Sequence, residues 1–140
     1  MNGFLLDTHV ISELLKPAPD QKVRAWIDEA EESMLYLSVL TLGEIRNGIE
    51  RLRPGARRST LDSWLLIDLH SRFERRILPI DDAIAERWGV LSAIACRKGK
   101  PIPVVDGLLA ATALHHDLTF VTRNIADVAG TSVATLNPWQ

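Results

Sequence analysis

Short apolar runs alternate with longer amphipathic stretches along this chain. Gly3-Phe4-Leu5-Leu6 is an apolar run stopped by Asp7-Thr8, which reads as a buried strand ending in a turn. Residues 10–15 then form a short helical pattern closed by Pro17 and Pro19. Asp20 is placed to cap the next helix, which carries Val23, Trp26 and Ile27 to about Glu32. Leu35-Tyr36-Leu37 predicts a second strand, with Ser38 as the following cap. Val39, Leu42, Ile45, Ile49 and Leu52 then recur at helical spacing until Pro54-Gly55. Thr60 opens a helical stretch through Leu61, Trp64, Leu65, Asp68 and Phe73. Residues 77–80 predict a third strand, and Asp81 or Asp82 caps a helix with Ile84, Trp88, Leu91 and Ile94 that ends near Gly99. Pro101-Ile102-Pro103 is a stiff connector to an alanine-rich apolar helix over 105–114. Residues 118–121 and 133–136 predict the fourth and fifth strands. Strands this short and apolar, alternating with helices, predict an α/β fold: a three-layer α/β/α arrangement around a mostly parallel sheet of about five strands. No repeat, low-complexity tract or long linker divides the sequence, so residues 1–140 are expected to form a single domain.

Composition narrows the classes. Of 140 residues, 46% are hydrophobic and 24% charged, enough apolar content for a substantial core. No apolar run approaches the roughly 20 residues that cross a bilayer. The opening MNGFLLDTHV has no basic segment or cleavage-type site, so the cytoplasm is the expected compartment and no membrane is expected as a partner. Cys96, the single cysteine, excludes an internal disulfide and a cysteine zinc cage; its apolar helical position reads as core. A net charge of −2 argues against a general nucleic-acid coat. Arg51, Arg53, Arg57 and Arg58 form one basic group and Arg72, Arg75 and Arg76 another, both read as mostly solvated helix faces. Trp26, Trp64, Trp88 and Trp139 read as core or interface residues. His70, His115 and His116 lack metal-ligand spacing.

The acids carry the chemistry. Asp7 directly follows the first strand, and in a parallel sheet the carboxyl ends of strands at a topological switch point hold the site. Glu44 sits among apolar positions early in its helix. Asp106 is the only charge between Lys100 and His115, and an acid beside so apolar a helix is costly to bury without a cation or a donor. Its alternative is a cap. Asn124 and Asp127 follow the fourth strand, where an Asx turn would also explain them. Carboxylates gathered in one place need a neutralising cation. Oxygen ligands without His or Cys suit Mg²⁺ or Mn²⁺, and attack of an activated water on a phosphodiester is the chemistry that follows.

The motifs LLDTHVISEL, LSVLTLGEIRNGI, PVVDGLLAATA and FVTRNIAD, in that order, with the ending LNPW, resemble the PIN-domain toxins of bacterial toxin–antitoxin pairs, nearest the VapC and FitB-like group. The resemblance spans essentially the whole chain. It implies a PIN-like fold and an Mg²⁺- or Mn²⁺-dependent endoribonuclease. Asp7, Glu44 and Asp106 fall on the family's three main acids and are its implied metal ligands. The fourth acidic slot falls at Asn124, with Asp127 three residues later, and either is left as the fourth oxygen donor. His9 stands where the family's first motif usually has Asn. Thr8, Ser12 and Thr122 are candidates to support the ligands, and Arg46 or Arg123 to contact the RNA backbone. The resemblance also implies a homodimer and a cognate antitoxin that blocks the site, through which alone operator DNA is reached. The apolar stretches at 10–15 and 64–69 are candidate surfaces for these partners. Two rivals remain. One is a phosphotransferase using Asp7 as nucleophile, against which His9 occupies the place of a second Asp. The other is a non-catalytic binding module with the same fold.

Overall fold

The apolar runs become the strands of one parallel sheet. The computed structural model describes residues 2–140. In chain order it contains β1 (Phe4–Leu6), α1 (Thr8–Leu14), α2 (Gln21–Glu29), β2 (Leu35–Ser38), α3 (Val39–Glu50) and α4 (Ala56–Ser63). α4 passes without a break into a π-helical stretch, Trp64–Leu69, and a last turn, α5 (His70–Arg72). β3 (Ile77–Leu78), α6 (Asp82–Arg97), α7 (Val104–His115), β4 (Thr119–Val121) and β5 (Thr135–Leu136) complete the order. The sheet runs β3-β2-β1-β4-β5, and every pairing is parallel. The chain builds β1, β2 and β3 outward in one direction, then crosses to the other side of β1 for β4 and β5. The boundary between β1 and β4 is therefore the switch point, where parallel sheets open a crevice at their carboxyl ends.

Strand alternation divides the core in two. Leu6, Leu35, Leu37 and Val121 face a cluster made by Val10, Ile11, Val23, Ile27, Ile45, Ile49, Leu65, Leu69 and Phe73, from α1, α2, α3, the π-helical stretch and the end of α5. Leu5 and Phe120 face the opposite side, against Leu109, Ala110 and Ala113 of α7. α6 lies over α7, where buried Gly107 passes under the Trp88 ring. The small residues of α7 let it sit close on the sheet, which holds its N-terminal end, and Asp106, at the crevice.

Several caps match the sequence. Asp20 accepts from the backbone N–H groups of Lys22 and Val23, Ser38 from Leu40 and Asp81 from Ile84. Other boundaries move. α1 begins at Thr8, two residues earlier than its apolar pattern, and α4 begins at Ala56 rather than Thr60. The third strand stops at Leu78, since Pro79 has no N–H for the ladder. The fifth is cut to Thr135–Leu136 because only those two residues pair with β4. Cys96 is exposed rather than in the core: in α6 the buried neighbour is Ala95, and Cys96 lies on the outer face. No helix among the described residues is long and apolar enough to cross a membrane.

Candidate active site

Asp7 is held at the switch point by both strands that make it. Its backbone N–H donates to the Val121 carbonyl at 2.9 Å, and the Thr122 hydroxyl donates to its Oδ2 at 2.7 Å. Both side chains are buried, with Asp7 3% and Thr122 1% exposed. Thr122 also accepts from the Asn124 N–H at 3.1 Å, so one hydroxyl fixes the carboxylate and the loop after β4 together. A buried carboxylate with a charge-assisted donor keeps its orientation before any ligand arrives.

Glu44 reaches the same end of the sheet from α3. The Thr8 hydroxyl donates to its Oε1 and shares a 3.1 Å hydroxyl–hydroxyl bond with buried Thr41. Thr41 and Glu44 are three residues apart and so share a helix face. Glu44 is exposed, towards the mouth, and makes no ion pair with Arg46 or Arg51 among the described residues.

Asp106 does not cap α7. Pro103 occupies that position, and Asp106 lies in the first helical turn, half-buried. Burial pushes its carboxyl up to about 6, and the negative charges of Asp7, Asp127 and Glu44 push in the same direction, opposed only by His9. Asp7, Glu44, Asp106 and Asp127 thus come from four separate segments into one electrostatic neighbourhood. Among the described residues, however, no three His, Cys, Asp or Glu side chains converge tightly enough to chelate one ion directly. A hard-oxygen donor set that repels itself at this spacing suits a hydrated divalent cation, because Mg²⁺ keeps several waters and takes only one or two carboxylates.

The remaining predicted residues separate. Asn124 and Asp127 are both exposed and lie in one turn, with the Asp127 N–H bonded to the Asn124 carbonyl at 3.0 Å. Asp127 is the one whose charge reaches Asp106. Ser12 is exposed and bonds to none of the acids; it lines the clefts on either side of them. Arg46 pairs with Asp62 at 2.6 Å and with Glu50 at 3.8 Å, so its guanidinium ties α3 to α4. Arg123 has no carboxylate within ion-pair distance among the described residues, and lies over the Trp139 ring at 5.2 Å.

Four participants were not assigned from the sequence. His9 places Nδ1 3.7 Å from Asp7 Oδ2 with its side chain 62% exposed. Thr41 supports Thr8, a role legible only in its three-residue spacing from Glu44. Buried Glu13 accepts from Lys16 and from the Asp20 N–H, both at 3.0 Å, and those donors, with Trp139, hold its carboxyl below the usual range. Trp139 sits beyond the fifth strand, and only its place in the ending LNPW sets it apart.

A family profile described as PIN domain matches residues 4–126. The chain is 39% identical to Toxin FitB of Neisseria gonorrhoeae, with 97% of this chain and 98% of that protein covered. It is 37% identical to VapC ribonuclease Y4jK of Sinorhizobium fredii, with 98% of each covered. The crystal structure of FitAcB from Neisseria gonorrhoeae superposes with a TM-score of 0.94 at 39% identity, covering 98% of this chain and 99% of that one. The fold is shared with a toxin–antitoxin complex from Klebsiella pneumoniae (TM-score 0.71, 24% identity, 97% of this chain and 98% of that one) and with VapBC2 from Rickettsia felis bound to a promoter DNA fragment (TM-score 0.79, 20% identity, 96% and 97% covered).

Proposed function

The chain belongs to the PIN-domain family, and on that premise we propose that it is a divalent-metal-dependent endoribonuclease, the toxin of a type II toxin–antitoxin pair. The observation that carries the reading is the meeting of acids from four chain segments beside the β1–β4 switch point. Residues 1–140 act as one PIN unit in the cytoplasm, as a homodimer, with RNA as substrate.

Asp7 and Asp106 would hold Mg²⁺ or Mn²⁺, directly or through water, with Glu44 completing the acidic cluster and orienting water. A cation held there would supply charge to polarise a phosphate and to lower the pKa of water. Thr122 keeps Asp7 aimed, and Thr8, backed by Thr41, keeps Glu44 aimed. Asp127 supplies the fourth negative charge; Asn124 faces the neighbouring cleft instead. A cluster in which Asp106 is pushed up to about 6 without a cation is well suited to take one up near neutral pH.

The relatives' naming as toxins supports a cognate antitoxin, with operator DNA reached only through it. Its docking place is a groove of about 220 Å³ that starts at Thr8 and Glu44 and runs over Ile45 and Gly48 to Leu61 and Trp64. An apolar helix seated there would bring a basic side chain to the carboxylates.

The test is cleavage of a structured RNA pool with Mg²⁺ or Mn²⁺ and then with EDTA, beside Asp7→Asn and Asp106→Asn. Metal-dependent cleavage that both folded variants lose is expected. Cleavage that survives loss of both acids would sink the assignment, and absence of both cleavage and calorimetric metal binding would leave a non-catalytic module.

A further inference from the structure

Next to the acids lies a cleft of about 200 Å³, lined by His9, Glu13, Lys16, Arg123, Asn124 and Trp139. It adjoins the candidate active site on two sides. His9 borders both the cleft and Asp7, and Arg123 and Asn124 directly follow Thr122, which holds Asp7. We propose that this cleft is the substrate subsite for the phosphodiester next to the one being cut, gripped by Arg123 from a seat on Trp139. The proposal rests on the ribonuclease reading above.

Arg123 is exposed and directly follows Thr122, which holds Asp7, yet it makes no ion pair among the described residues. Its guanidinium lies instead over the indole of Trp139, an attraction between a cation and the ring quadrupole.

The platform is itself fixed. The Trp139 backbone N–H donates to Asn137 Oδ1 at 2.9 Å, and Asn137 Nδ2 reaches back to the Arg123 carbonyl at 3.4 Å. The Trp139 ring packs against the core cluster of Leu6 and Val10 and lines the same cleft as buried Glu13. The Glu13 carboxylate accepts from the Asp20 N–H and from Lys16, and it balances the charge of Lys16. Arg123 is left as the uncompensated cation of the cleft, with exposed donors from Asn124 and His9 beside it.

A preorganised guanidinium with free donors matches a phosphate in shape and charge. A cleft opening onto a phosphodiester-cutting centre presents it with the neighbouring phosphate of the same strand. An exposed single strand fits best, because its backbone bends into a cleft that a duplex would bridge.

The test uses the full chain carrying Asp7→Asn, which holds RNA without cutting it, and a labelled single-stranded RNA of random sequence, titrated across a salt series. Adding Arg123→Gln is expected to lower affinity about five-fold. It should also flatten the slope of log affinity against log salt by about 0.7, the loss of one phosphate contact to a single strand. Arg123→Lys is expected to restore the slope while leaving part of the affinity loss, since lysine keeps the charge without the planar fork. With the native acids, Arg123→Gln is expected to raise KM more than it lowers kcat. If the parent binds RNA and the native chain cleaves it, but Arg123→Gln keeps the parental slope and KM, the subsite assignment is overturned and the ribonuclease reading stands. If the folded native chain neither binds nor cleaves RNA, the reading itself falls and the subsite with it.

Discussion

Replacing Asp106 by Asn is expected to stabilise the metal-free protein at neutral pH while destroying its activity. The Asp106 carboxyl is pushed up to about 6 from an ordinary 3.8, by burial first and then by Asp7, Asp127 and Glu44. At 1.36 kcal/mol per pH unit, the charged form carries a penalty of about 3 kcal/mol if nothing screens it. Asp106 is only partly buried, and solvent screening brings this to about 1–2 kcal/mol. Asn also gives up a favourable charge in the first turn of α7, worth about 0.3–1 kcal/mol. A net gain of about 1 kcal/mol remains, or about 3–5 °C in Tm for a chain of this size. The sign with pH follows from linkage. Between pH 3.8 and 6 the folded state holds the Asp106 proton more tightly than the unfolded state, so the native protein loses stability as pH rises through that window. Above it the penalty is fully present, and below it the penalty is absent. Thermal unfolding in EDTA at pH 7.5 should therefore favour Asp106→Asn, with the advantage shrinking towards pH 4. Saturating Mn²⁺ should reverse the order, since a ligand at 100 times its Kd adds about 2.7 kcal/mol to the form that binds it. Equal or lower stability of Asp106→Asn in EDTA, or a difference indifferent to pH, would refute the account of the site as self-repelling.

Thr122→Val removes the donor to buried Asp7 Oδ2 and should cost about 1–3 kcal/mol in chemical denaturation. It should also weaken Mn²⁺ binding by about 10-fold or more in calorimetry. Gly107→Ala sets a Cβ 3.1 Å from the Trp88 ring at the α6–α7 contact; crowding of about 1–3 kcal/mol outweighs the helix-propensity gain of about 1 kcal/mol, and denaturation should show a net loss of about 1 kcal/mol. Gly48→Leu, on the groove wall of α3 where a Cβ meets nothing within 4 Å, should fold at least as stably as the parent. It should keep RNA cleavage while raising the antitoxin concentration needed for inhibition; unchanged inhibition would move the antitoxin off this groove.

Hydrophobic periodicity by itself determined the kind and order of the main elements. The runs Phe4–Leu6 and Phe120–Val121 set apolar side chains on both faces, which only a sheet covered on both sides tolerates. Capping chemistry is equally local, so Asp20, Ser38 and Asp81 declared their roles through the next few residues. The acids stood out for a similar reason: Asp7 and Asp106 interrupt apolar sequence, where a charge needs a purpose. Strand order was not local. Only packing across the sheet put β4 beside β1, and with it the Thr122 hydroxyl on Asp7, 115 residues away. The ends of β3 and β5 depended on which residues found a neighbouring ladder, and the exposure of Cys96 depended on which face of α6 met α7. The fates of Arg46 and Arg123 show the same limit. Both are basic residues near candidate acids in the sequence, yet Asp62 of a different helix captures Arg46, while Trp139 near the end of the chain holds Arg123 beside the site. Periodicity registers what a residue must bury; its long-range partner is chosen only when the whole chain closes on itself.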